Sequence, residues 1–265
     1  MTELTPLDRA FTAMDAAPDD DTARLRFYER LADAELLLLL KSDAGARDEQ
    51  VTPELFDLGD AQYVLVFDRV ERLAAFTGAV SPYVALSGRA IAGMLAGKDL
   101  GVGVNLDVAP SSILLPKASV DWLNETLGNA PDQVEARIAE VHPPKGLPDL
   151  LLSAIDAKLA TATGLAQCAY LVGVVFRDGG RGHMLGFVGA VAQAEQALAH
   201  AAAEALVFSG IEAGSMDVGF FDAADDMTQK LARVGLRFDL PQLAEMQAPA
   251  RPAPGSDPAK PPILK

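Results

Sequence analysis

The stretch Gly101–Pro116, GVGVNLDVAPSSILLP, places the tightest limit on what this chain can fold into. Leu100–Asn105 alternates small and β-branched residues and reads as a buried strand. Pro110, Ser111 and Ser112 form a turn, and Ile113–Leu115 is a second apolar strand closed by Pro116. Two such strands can bury both faces only inside a larger sheet. Gly101 and Gly103 resemble the start of a dinucleotide-binding fingerprint, but the position of its third glycine holds Leu106. A strand rather than a helix follows, so no helix N-terminus is offered to a pyrophosphate. Small residues in a tightly packed strand are the better account of these glycines.

The segments before this stretch read as alternating short helices and strands. Leu7, Phe11 and Met14 recur at helical spacing, and Asp19–Asp21 after Pro18 cap a second helix carrying Leu25, Tyr28 and Leu31. Strands are predicted over Ala34–Leu40, Leu55–Leu58, Tyr63–Phe67 and Tyr83–Leu86, with helices at Glu71–Phe76 and Arg89–Leu95. Ser119 is read as the cap of a further helix containing Val120, Trp122, Leu123 and Leu127, stopped by Gly128–Pro131. A mixed α/β domain over residues 1–130 follows.

From Gln133 onward the predicted order is a strand up to Val141, a helix over Leu147–Thr161 and a strand over Cys168–Phe176. A hairpin at Asp178–Gly180, a strand over His183–Val188, a helix over Ala192–Phe208 and a strand over Met216–Phe221 complete it. This β-α-β-β-α-β order predicts a ferredoxin-like domain over 133–241, a four-stranded antiparallel sheet backed by two helices. A short helix, Asp226–Arg233, and a strand, Leu236–Phe238, are added at its end. The fold class is therefore α+β. Residues 242–265 read as a disordered tail, since APARPAPGSDPAKPPILK carries six prolines and only two large apolar residues.

Charge and composition exclude several function classes. The chain has 22 basic and 37 acidic residues, a formal charge of −15. Residues 1–130 hold 11 basic and 21 acidic side chains and residues 131–265 hold 11 and 16, so both halves are acidic. Neither half has the footprint of a phosphate-backbone binder, and no nucleic-acid partner is expected. The run Leu36–Leu40 is far short of the roughly 20 apolar residues of a membrane span, so no membrane partner is expected either. One cysteine, Cys168, cannot form an internal disulfide, and the amphipathic acidic start shows no secretory signal; the expected location is cytoplasmic.

Catalytic motifs are absent: no G-x-x-x-x-G-K-[ST], H-E-x-x-H, G-x-S-x-G or C-x-x-C occurs. Ser111 and Ser112 would need a nearby base to act as nucleophiles, and the three histidines, His142, His183 and His200, all fall in the other predicted domain. His200 shares a helix face with Gln196 and Glu204 and reads as an ordinary polar-face residue. The segment RGHMLGFV at Arg181–Val188 is placed like an RNA-binding strand, yet VEARIAEV beside it lacks the aromatic side chains that stack bases. Three dispersed histidines and one cysteine predict no metal site, and no catalytic residue or cofactor is predicted.

The stretch Gly101–Pro116, with the opening TPLDRAFTAMDAAPDDD, the run RLRFYERLADAELLLLL and the closing ARVGLRFDLP, resembles the SseB family of bacterial proteins. That family is named for enhanced serine sensitivity and has no established activity. Two compact acidic domains with a Pro-rich tail read as a non-catalytic interaction or regulatory protein with a protein partner; the alternatives are a module sensing a small polar ligand, for which the family's serine phenotype makes an amino acid the candidate, and an enzyme without a recognisable motif. Asn105, Ser111 and Ser112 are the expected ligand or partner contacts, because a polar turn between two apolar strands sits in the segment that carries the resemblance. Replacing all three with alanine is then expected to leave stability near its original value.

Overall fold

The computed structural model describes residues 3–41, 52–59, 61–128, 138–177, 179–210 and 216–242. Two mixed sheets organise them, each with its own helices. In the first half, α1 (Pro6–Ala16) and α2 (Asp21–Asp33) lead into β1 (Glu35–Leu39), β2 (Leu55–Leu58) and β3 (Ala61–Phe67). Then come α3 (Val70–Thr77), β4 (Tyr83–Ser87), α4 (Gly88–Leu95), β5 (Leu100–Val104), β6 (Ile113–Leu115) and α5 (Lys117–Gly128). The capping box at Thr5 and Asp8 starts α1, and the Asp20 side chain caps α2. Ser119 is not the cap of α5: that helix already starts behind Pro116, whose carbonyl accepts from the Ser119 amide at 2.9 Å.

The strand order β4-β1-β3-β5-β6 has β3 and β5 parallel and its other neighbours antiparallel, while β2 shares with β1 one flank of β3. Successive leucines of β1 point to opposite faces. Leu36 and Leu38 meet Phe27, Leu31 and Ile91 in the main core, whereas Leu37 joins Leu65, Phe67 and Leu73 on the far face under α3. A run apolar on both faces belongs in a sheet interior, and β1 lies between two neighbours. Gly101 and Gly103 are packing glycines as expected: a Cβ on the first would sit 2.4 Å from the Tyr63 ring, and on the second 2.6 Å from Leu65.

The second half runs β7 (Ile138–His142), α6 (Asp149–Leu159), β8 (Cys168–Phe176) and β9 (Arg181–Val188). A 3-10 turn (Ala192–Ala194), α7 (Glu195–Phe208), β10 (Met216–Phe221), α8 (Asp226–Val234) and β11 (Leu236–Asp239) follow. β8 and β9 pair antiparallel along their length as predicted, and Gly179 supplies the left-handed residue of their turn at φ 89°; Asp178 lies outside the described residues. So do residues 129–137, where the boundary and the start of the first strand were expected, and the tail from 243 onward.

The ferredoxin-like arrangement is corrected. That fold would set the first strand of the unit beside the third and leave the second at an edge. Here β9 lies along one flank of β8 and β7 and β11 share the other, while β10 pairs parallel with β9, so the sheet is mixed and has five strands. The physical reason lies in β8 itself. Seven of its nine residues are buried, a demand only an interior strand meets. One face of this sheet is covered by α6 and α7 and the other by α8. The last residue of α7, Phe208, leaves its own sheet behind. It is 1% exposed and packs into the core of the first half with Phe27 and Leu123.

Candidate functional site

Asn105 and Ser111 face inward. Both side chains are wholly buried, and the Asn105 amide donates to Ser111 Oγ at 2.9 Å. Ser111 Oγ in turn donates to Asp8 Oδ1 at 2.6 Å, and Asn105 Oδ1 accepts from the Asp68 amide at 3.1 Å. Asn105 adopts φ 46°, a left-handed conformation that asparagine tolerates better than most residues. Ser112 is different: it is partly exposed, and its hydroxyl accepts from the Asp107 amide at 3.1 Å. The structure thus brings Asn105 and Ser111 together, and spends both on holding the turn to α1. The expectation that the triple alanine variant would keep its stability is reversed, because a buried hydrogen-bond chain would lose its middle.

That chain ends on an ion pair that sequence reading missed. Asp8, wholly buried, receives both guanidinium nitrogens of Arg72 (7% exposed), the Ser111 hydroxyl and the Thr5 amide. Arg72 also donates to Asp68 Oδ1 at 2.7 Å. Burial pushes the Asp8 carboxyl up, but these donors outweigh it and hold it far below the usual carboxylate range. The signal for Asp8 was present in the sequence as the capping-box spacing Thr5-x-x-Asp8. Nothing in the sequence paired it with a residue 64 positions later.

A second charged cluster joins the two halves. Lys158 Nζ of α6, only 6% exposed at its side chain, lies 2.6 Å from Asp33 Oδ2 and 3.0 Å from Glu204 Oε2. Arg89 of α4 closes the square, with Nη2 at 2.6 Å from Asp33 Oδ1 and Nη1 at 2.9 Å from Glu204 Oε1. Burial raises Asp33 and Glu204, yet Lys158 and Arg89 more than reverse this and hold both carboxyls below their ordinary range. Glu204, which shares a helix face with His200, is 6% exposed and ion-paired. Lys158 was detectable: it follows Leu151 and Ile155 on the buried face of α6, where a charge needs a partner.

Beside this cluster lies a cleft of about 540 Å³ between α1, α2, α6 and the end of α7. Its walls include Arg9, Arg26, Arg30 and Glu29 from the first half, and Ser153 and Phe208 from the second. Glu29 is 3% exposed, and burial raises its carboxyl above the ordinary value despite the pull of Lys158 and Arg30. A second cavity, among Leu31, Ile91, Val102 and Leu123, is apolar and holds about 20 Å³, room for little more than a water. Among the described residues, no group of three or more His, Cys, Asp or Glu side chains is arranged to hold a metal ion, and no helix is long and apolar enough to cross a membrane.

These directions give a pH dependence with a definite sign. Asp8, Asp33 and Glu204 have folded values below their unfolded ones, so their contribution is complete above the ordinary carboxylate range, near pH 4, and is lost as pH falls through the depressed values. Glu29 acts the other way: its contribution is greatest below the ordinary value and declines as pH rises through the raised one. With Asp121 also lowered and Asp217 also raised, four lowered carboxyls stand against two raised ones. Urea midpoints are expected to fall steeply below about pH 4, and less steeply in Lys158→Met, which releases Asp33 and Glu204 from one partner. Equal acid slopes in the two proteins would show that the cluster does not set the acid limit.

No curated protein and no solved structure matches the chain. A family model does, over the segment that begins one residue before Asp8 and ends within α5. It takes in α1, the Arg72 ion pair, the strands β1–β6 and the turn that Asn105 and Ser111 hold. Residues 7–122 match the SseB protein N-terminal domain.

Proposed function

We propose that this chain is a non-catalytic regulatory or interaction protein of the SseB family, located in the cytoplasm and made of two domains, 1–130 and 133–241, that take up a small ligand between them. One observation carries the reading: the cleft and the Lys158 cluster are built on the same helices. From α2, Glu29 and Arg30 line the cleft while Asp33 holds Lys158; from α6, Ser153 lines the cleft while Lys158 holds α2 and α7. Occupancy of the cleft would therefore bear directly on how firmly the two halves are joined, which is what a sensor requires. Of the two forms of the reading, protein interaction and small-molecule sensing, the concave polar cleft favours sensing. Ser112, the partly exposed member of the Asn105–Ser112 turn, is the one able to meet a protein partner.

A thermal-shift screen of charged and neutral metabolites on the full chain, repeated on Ser153→Trp to fill the cleft, tests this reading. The expected result is saturable stabilisation that Ser153→Trp abolishes, with the compound recovered unchanged by mass spectrometry. Recovery of a converted compound would make the chain an enzyme instead. Equal stabilisation of Ser153→Trp would place binding elsewhere.

A further inference from the structure

We propose that the cleft binds a small zwitterion, its oxyanion held by Arg9, Arg26 and Arg30 and its amino group by Glu29. This rests on the reading that a small ligand occupies the cleft, and names the chemistry of that ligand. Among the described residues, Arg9, Arg26 and Arg30 have no carboxylate within ion-pair distance; Arg69, Arg177, Arg181 and Arg233 are alike in this, but only the first three converge on one cleft. Arg26 and Arg30 stand one turn apart on α2. A planar guanidinium offers paired N–H donors that match a carboxylate or a phosphate, and unpaired ones at the mouth of a cavity suit either.

Glu29 supplies the opposite half of the match. It lies in the same wall, is 3% exposed, and makes no hydrogen bond or close ion pair with any described residue. The Lys158 ammonium that influences it is already engaged by Asp33 and Glu204. Its oxygens are not among the sealed, unpartnered polar atoms and so open on the cleft, where an incoming ammonium would meet a largely desolvated carboxylate. Burial then orders the ligand. Arg9 and Arg26 are exposed, Arg30 is half-buried and Glu29 is deepest, so the amino group leads and the oxyanion stays at the mouth. Asp20, also in the wall, is exposed and so is well screened by solvent.

Isothermal titration of the full chain at low salt tests the assignment, with β-alanine and phosphoethanolamine as zwitterions. Propionate, inorganic phosphate and ethanolamine carry the single charges. At least one zwitterion should bind ten-fold or more tighter than its single-charge counterparts, and the carboxylate and phosphate arms show which oxyanion is preferred. Arg26→Ala with Arg30→Ala, which removes two cleft guanidinium groups that hold no ion pair among the described residues, should weaken that binding at least ten-fold with an unchanged urea midpoint. Glu29→Gln should bring the zwitterion down to the affinity of the matching anion. Single-charge compounds binding as tightly as the zwitterions, or unchanged affinity in the arginine variant, would overturn the proposal. If instead a neutral or purely cationic compound stabilises the wild-type chain but not Ser153→Trp, the zwitterion assignment falls and the cleft reading stands. If no compound of any charge binds the cleft, both fall.

Discussion

Arg72→Ala is expected to lower the unfolding free energy by about 3–5 kcal/mol, the cost of removing one partner of a buried ion pair. The substitution strands two carboxylates. Asp8 is wholly buried and loses both guanidinium bonds, and Asp68 loses its only side-chain donor while its second oxygen is already without one among the described residues. Ser111→Ala should cost less, about 1–3 kcal/mol, because it removes a hydroxyl and leaves the ion pair in place. The two changes share Asp8, so their effects should not add. Guanidinium unfolding of both single variants and the double variant measures this. An Arg72→Ala protein within 1 kcal/mol of the parent would show that water reaches Asp8 and that the pair is not the staple described here.

Phe208→Ala is expected to cost about 3–5 kcal/mol as well, for a different reason. The ring belongs by sequence to α7 of the second half but fills the core of the first, among Phe27, Leu31 and Leu123. Its removal opens a cavity at the joint, and neither half can collapse into it without moving the helices that carry Lys158 and Asp33. Unfolding should therefore separate into two transitions, the first reporting the loss of the joint. Equilibrium unfolding followed by Trp122 fluorescence and by far-ultraviolet circular dichroism distinguishes the cases. Coincident curves at the parental midpoint would mean that the ion cluster alone holds the halves together.

Local patterns made the elements legible. The five leucines of Leu36–Leu40, the apolar run Cys168–Phe176 and the caps at Thr5 and Asp20 each satisfy a short-range rule, and each appears where that rule places it. The same rules gave the right order of elements in the second half and the wrong sheet, because order along the chain does not choose which edges pair. The uninterrupted burial of β8 was the clue that it is interior, and it was available in the sequence as an apolar run without polar alternation.

The site was less legible, and the reason is distance along the chain. A polar turn between apolar strands looks the same whether its side chains meet a ligand or a buried aspartate. Ser111 meets Asp8, 103 positions before it, and Asn105 meets Ser111. Arg26, Glu29 and Arg30 read as an ordinary charged helix face until α6 and α7 are laid beside it. The sequence by itself determined the helices, the strands and the acidic charge, since these rest on periodicity, capping and composition within a few residues. Only the tertiary structure decided the strand pairing of the second sheet, the Asp8–Arg72 staple and the cleft, since each depends on which distant surfaces bury one another.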